Sequence, residues 1–137
     1  MTRLRMMIDQ NLATLEEELN ALFPKRLKAV SVFELKPDFH NYTEDEDLVQ
    51  AGRENRYILF TSDDKSIKKR KYPPCTHAGI IKMPGMPSKE EVIARLRKLL
   101  LSGPQYLKQI RGHFTYLRNE GATIHKEHNQ QVEVTFK

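Results

Sequence analysis

The chain has almost no cysteine: Cys75 stands alone among 137 residues. One thiol excludes an internal disulfide and any multi-cysteine zinc site, and it points to a reducing, cytoplasmic home. Long apolar runs are missing as well, and none approaches the ~20 residues that a membrane span needs. The opening MTRLRMMIDQNL lacks the apolar core and small-residue cleavage site of a signal peptide. The six glycines are scattered, so no phosphate-cradling glycine loop is present. Internal repeats, low-complexity segments and a dividing linker are also absent. What remains is one domain over 1–137, large enough to bury most of its apolar surface without staples. At 39% hydrophobic and 30% charged, the composition is that of a folded, soluble chain.

The net charge of +5 divides unevenly. Residues 1–64 carry 8 basic and 13 acidic side chains, a balance of −5; residues 65–137 carry 15 and 5, a balance of +10. An acidic front and a basic back suit a metal on one part and a phosphate polymer on the other. A mixed solvated surface is the plainer meaning of the same numbers.

Residues 3–8 read as a strand that ends at Asp9. Leu12, Leu15, Leu19 and Leu22 then share one helical face, and Pro24 stops that helix. Residues 28–33 favour a strand. Thr43 and Glu46 make a capping-box pattern for a helix to about Asn55, burying Leu48, Val49 and Ala51. Strands follow at 57–61 and 77–82, separated by a basic segment that Pro73-Pro74 ends. Ser88 and Glu91 cap a further helix with Val92, Ile93, Leu96, Leu99 and Leu100 inward, closed by Gly103-Pro104. Residues 113–117, the turn Asn119-Glu120-Gly121 and residues 131–136 suggest antiparallel strands at an edge. The pattern predicts an α/β fold: a mainly parallel sheet with helices on both faces, a core of about 3–103 and a β extension of about 112–136.

Sites in open parallel sheets form at the carboxyl ends of strands, where the strand order reverses. Asp9 and Asp63 end two strands, and Glu44–Asp47 opens a helix on the same edge. Clustered carboxylates repel unless a cation offsets them, and Mg²⁺ suits a sparse set of acids plus waters. Singly, these acids have ordinary uses in helix first turns and caps. Lys65, Lys68, Lys69, Arg70 and Lys71 follow Asp63 directly and could hold a nucleic-acid backbone, or simply form a solvated loop. Arg95, Arg97 and Lys98 read as outer-face charge, and Tyr57, Tyr72 and Tyr116 as packing residues. Cys75 with His77 is a poor catalytic pair at that spacing, and His125 and His128 read as surface residues.

M-I-D-Q-N-L, T-E-D-E-D-L, I-L-F-T-S-D-D-K-S-I-K-K and H-A-G-I-I-K-M-P, in that order, resemble the signature stretches of PIN-like nuclease domains over about residues 5–100. The closest group in appearance is the VapC-type toxins of toxin–antitoxin pairs and their PIN-like relatives. The resemblance implies a three-layer αβα sandwich and a Mg²⁺- or Mn²⁺-dependent ribonuclease. Asp9, Asp45 and Asp63 would be the metal-binding catalytic acids. Glu46 or Asp47 would substitute for Asp45 in a shifted register, a fourth ligand would be Asp64 or be absent, and Asn11 would orient the Asp9 carboxylate or its water. It further implies RNA as substrate, an antitoxin protein as partner, a homodimer, and no membrane. Gln10 stands where an acid is common, and Lys65 where many relatives have a further Asp. Both departures suit an alternative: a catalytically impaired PIN-like protein that binds nucleic acid or a partner.

Overall fold

Apolar alternation in the first strand sets the architecture. In β1 (Leu4–Ile8) the side chains of Leu4, Met6 and Ile8 enter one core and that of Met7 enters another. A strand buried on both faces needs a layer on each side. The computed structural model describes residues 3–39, 45–62, 76–85 and 87–136, with all side chains in those ranges except Gln10, Asn11, Ala13, Asp45, Pro104 and Asn129.

A 3-10 turn at Gln10–Leu15 runs into α1 (Glu16–Leu22), followed by β2 (Leu27–Ser31), α2 (Val32–Leu35), α3 (Asp45–Asn55), β3 (Ile58–Thr61) and β4 (Ile80–Lys82). Then come α4 (Lys89–Leu101), α5 (Pro104–Ile110), β5 (Phe114–Leu117), β6 (Gly121–His125) and β7 (Gln131–Thr135). The strands form one seven-stranded sheet in the order β2-β1-β3-β4-β5-β6-β7. The first five strands in that order are parallel, and β6 and β7 extend the edge antiparallel. Leu19 of α1, Leu96 of α4 and Ile110 of α5 pack with Ile8 and Phe60 on one face. Val32 of α2 and Leu48 and Ala51 of α3 pack with Met7 and Leu59 on the other. The α/β class, the mainly parallel sheet and the antiparallel C-terminal edge therefore stand as read from the sequence, and the two cores are compatible with a three-layer sandwich.

Local chemistry explains most boundaries. The Ser88 hydroxyl accepts from the Glu91 N–H and the Glu91 carboxylate accepts from the Ser88 N–H, each at 3.2 Å, so α4 starts as its capping box predicts. The Thr43 box of α3 lies outside the described residues, although α3 ends at Asn55 as expected.

Four expectations need correction, and one helix was not expected. Leu22 is 41% exposed, because α1 ends there and Phe23 takes the inward position. The strand predicted over 28–33 stops at Ser31, whose hydroxyl accepts from the Phe33 N–H at 3.1 Å and caps a helical turn instead. The strand predicted over 77–82 is only Ile80–Lys82. Gly103-Pro104 follows the end of α4 at Leu101 as expected, but Pro104 also opens α5, which the pattern did not announce; at that first turn its missing N–H costs no hydrogen bond. Arg95 is not outer-face charge; it is 6% exposed. Its Nε donates to Asn119 Oδ1 at 2.8 Å, and its Nη1 donates to the carbonyls of Pro84 and Leu117 at 3.1 Å each. One guanidinium thus ties α4 to the loop after β4 and to the β5–β6 turn.

Candidate functional site at the carboxyl edge

The strand order reverses at β1: the chain leaves it for β2 on one side and returns to β3 on the other. A crevice forms at such a point outside the carboxyl ends of the two strands. Asp9 follows β1 and Thr61 ends β3, so both lie at that carboxyl edge. Thr61 Oγ1 donates to Asp9 Oδ2 at 2.6 Å, with Thr61 0% and Asp9 2% exposed. That length lies at the short end of the range for a hydroxyl donating to an oxygen acceptor. The Asp9 N–H donates to the Phe60 carbonyl at 3.0 Å, and the Leu12 N–H donates to the Asp9 carbonyl at 2.9 Å. The β1–β3 ladder thereby holds the aspartate backbone before the chain turns away.

Lys82 adds a cation to the same edge. It ends β4 in register with Thr61 and is 5% exposed. Phe60 and Ile81 enter the α1/α4 core, so alternation along each strand sends Thr61 and Lys82 together toward the α3 face. The parallel spacing of about 4.8 Å makes the two residues immediate neighbours. Neither residue stood out in the sequence, although both are the last polar residues of apolar strands. Position at a strand's carboxyl end was the available signal.

The remaining predicted acids are only partly described. Glu46 and Asp47 lie exposed in the first turn of α3, whose start faces the carboxyl edge because the helix feeds the amino end of β3. The backbone of Asp45 opens that helix; its side chain, that of Asn11, and the whole of Asp63, Asp64 and Lys65–Lys71 lie outside the described residues. No group of three or more His, Cys, Asp or Glu able to hold a metal occurs among the described residues. Of the predicted acids whose side chains are described, Asp9 is the one buried at this edge. Its carboxylate is a hard oxygen donor, the ligand type that Mg²⁺ and Mn²⁺ take, and Thr61 already donates to it.

The other titratable candidates have structural places. His77 is buried, and its Nδ1 accepts from the Gly79 N–H at 3.0 Å; Cys75 lies outside the described residues. His128 is exposed, and His125 meets the Tyr116 ring edge-on at 5.4 Å. Tyr57 is buried in the α3-side core and Tyr116 packs partly against it, as expected of packing residues; Tyr72 lies outside the described residues. A cavity of about 450 Å³ opens elsewhere, between α4, α5 and β7 around Tyr106 and Phe136, and contains none of the predicted acids.

Fold and site together define an open α/β sheet with a buried aspartate at its switch point. Comparison with protein-family models, with curated proteins and with solved structures finds no match. Among the described residues, no helix is long and apolar enough to cross a membrane.

Proposed function

We propose that the chain is a PIN-like, metal-dependent ribonuclease that hydrolyses RNA phosphodiester bonds, the toxin of a toxin–antitoxin pair. The observation that carries this reading is the buried Asp9 carboxylate, held by Thr61 at the β1–β3 switch point. A carboxylate taken out of water is costly unless a donor or a cation offsets it. Asp9, Asp45 and Asp63 would hold Mg²⁺ or Mn²⁺, with Asp64, Glu46 or Asp47 completing the set. The metal would supply an activated water and charge neutralisation at the phosphodiester. Thr61 fixes the Asp9 rotamer, Asn11 orients the same carboxylate, and Lys65–Lys71 grip the strand. A cytoplasmic homodimer neutralised by an antitoxin protein completes the reading.

The decisive experiment is cleavage of a labelled RNA by the purified chain with Mg²⁺ or Mn²⁺. Asp9→Asn should abolish metal-dependent cleavage while leaving the circular dichroism spectrum unchanged. Equal cleavage by the variant refutes the assignment.

Lys82 favours a second reading, a protein that binds nucleic acid or a partner without cleaving. A lysine buried in register with Thr61 brings positive charge to the edge where a divalent cation would bind. Calorimetric titration with Mn²⁺ separates the two: absence of binding at millimolar concentration selects the second.

A further inference from the structure

The opposite edge of the sheet carries the reverse chemistry. Parallel strands all begin there, so the segments that lead into them are brought side by side. Arg5 enters from β1, Arg56 from the turn before β3, and Arg111 from the loop between α5 and β5. The three arginines are exposed, and together they line a cavity of about 330 Å³ whose apolar wall is Ile58 and Ala78. Lys28 lies beside Arg5, its partner in the β1–β2 register.

We propose that Arg5, Arg56 and Arg111 form a phosphate-binding cleft, taking the phosphate of a nucleic-acid strand or of a free nucleotide. Guanidinium groups present planar, forked donors that match phosphate oxygens. Arg5 is already oriented: its guanidinium carbon lies 4.3 Å from the centre of the Tyr57 ring, and its Nη2 reaches the Asn55 carbonyl at 3.4 Å. Among the described residues, none of the three arginines has a carboxylate partner. Glu54, the acid nearest to Arg56 in sequence, is engaged with Lys36 at 3.7 Å and Gln50 at 3.1 Å. Converging unpaired cations repel, and an anion between them removes that cost.

The cleft is also built from fixed backbone. The Gly112 N–H donates to the Ala78 carbonyl at 2.9 Å, and the Ile80 N–H donates to the His113 carbonyl at 3.1 Å. Those bonds join the loop that carries Ala78 to the loop that carries Arg111. Gly79 permits the approach: its φ is +130°, and a Cβ there would meet the Ile110 carbonyl at 2.9 Å. Arg56 itself holds φ +61°, a left-handed conformation that non-glycine residues rarely adopt and that functional sites often retain. Tyr57 reports the local potential. Burial pushes its phenol up, but hydrogen bonding to Arg5 and Lys28 and their charges outweigh burial and hold it below the ordinary value.

This cleft is independent of the nuclease reading, and its test omits divalent metal. With EDTA present, the arginine Nε–Hε resonances of the full chain are followed by NMR during titration with inorganic phosphate, AMP and a 12-nucleotide RNA. Sodium chloride at matched ionic strength is the control. Arg5, Arg56 and Arg111 should shift together and saturate, while chloride leaves them in place. Saturation by phosphate and AMP identifies a free phosphate as the ligand, and saturation by RNA alone identifies a strand. Replacing Arg56 and Arg111 by Gln should then weaken the saturating ligand about tenfold or more, two charge-assisted contacts being lost. No shift with any of the three ligands, the same shift with chloride, or unchanged affinity in the double variant would overturn the proposal.

Discussion

Thr61→Val tests the candidate site with the least disturbance of shape. Valine has nearly the volume and the β preference of threonine, so the fully buried position stays filled while the donor to Asp9 disappears. The bond is short, at 2.6 Å, and both partners are buried. A hydrogen bond to a charged group contributes about 1.5–3 kcal/mol net. The added methyl returns up to ~0.8 kcal/mol. The expected loss is therefore ~1–2 kcal/mol. With a urea m-value of about 2 kcal/mol/M, the midpoint should fall by ~0.5–1 M. The same substitution in an Asp9→Asn background should cost less, since the acceptor is then neutral. A midpoint within ~0.2 M of the parent, or an equal loss in both backgrounds, refutes the charged bond. Metal affinity is a separate readout. If Asp9 is a ligand, losing its outer-sphere partner should weaken Mn²⁺ binding by about 10–100-fold in calorimetry. Unchanged affinity beside a lost midpoint leaves the bond real and removes Asp9 from the metal set.

Two further predictions concern groups away from that crevice. Arg95→Met removes the donor to the Asn119 amide oxygen and to the carbonyls of Pro84 and Leu117, leaving acceptors short of partners. A cost of ~3 kcal/mol, at ~3 °C per kcal/mol, should lower the calorimetric Tm by ~10 °C; a fall below ~3 °C refutes the pinning role. Burial, reinforced by the hydrogen bond and charge of Glu34, raises the Glu16 carboxyl above its ordinary value, against the Ser31 N–H that lowers it. A raised folded-state pKa means stability that is present below the unfolded value and lost as pH rises through the folded one. Glu34→Gln should therefore raise the Tm at pH 7, flatten the profile between pH 4 and 7, and stabilise by up to ~0.5 kcal/mol, these being partly solvated charges. A Tm at pH 7 no higher than the parent's refutes the pairing.

Much of the fold was legible because its signals are local. Ser88 and Glu91 announce α4 by three-residue spacing, and ILFT announces β3 by continuous apolar character. Asp9 was legible for the same reason, as the first polar residue after an apolar strand. Where reading failed, a tertiary partner overrode the local rule. Arg95 looks like surface charge on any helical wheel; only the placement of the loop at Pro84 and the turn at Asn119 supplies enough acceptors to bury it. Gly103-Pro104 marks the end of α4 as read, but the helix that begins at Pro104 was not legible, because it rests on the packing of Tyr106, Leu107 and Ile110 against the core.

Charge shows the same division. The sequence by itself determined the composition, the alternation and caps that make the elements, and the split of −5 before residue 65 and +10 after it. It could not determine which charges meet. Arg5 and Arg56 belong to the acidic half of the chain, and Arg111 to the basic half, yet all three line one cavity. Parallel strands bring every carboxyl end to one edge and every amino end to the other. Asp9, Thr61 and Lys82 are therefore gathered from 74 residues of chain at one edge, and the arginines at the opposite one. Strand direction and strand order, which arise only when distant segments pair, decided both sites.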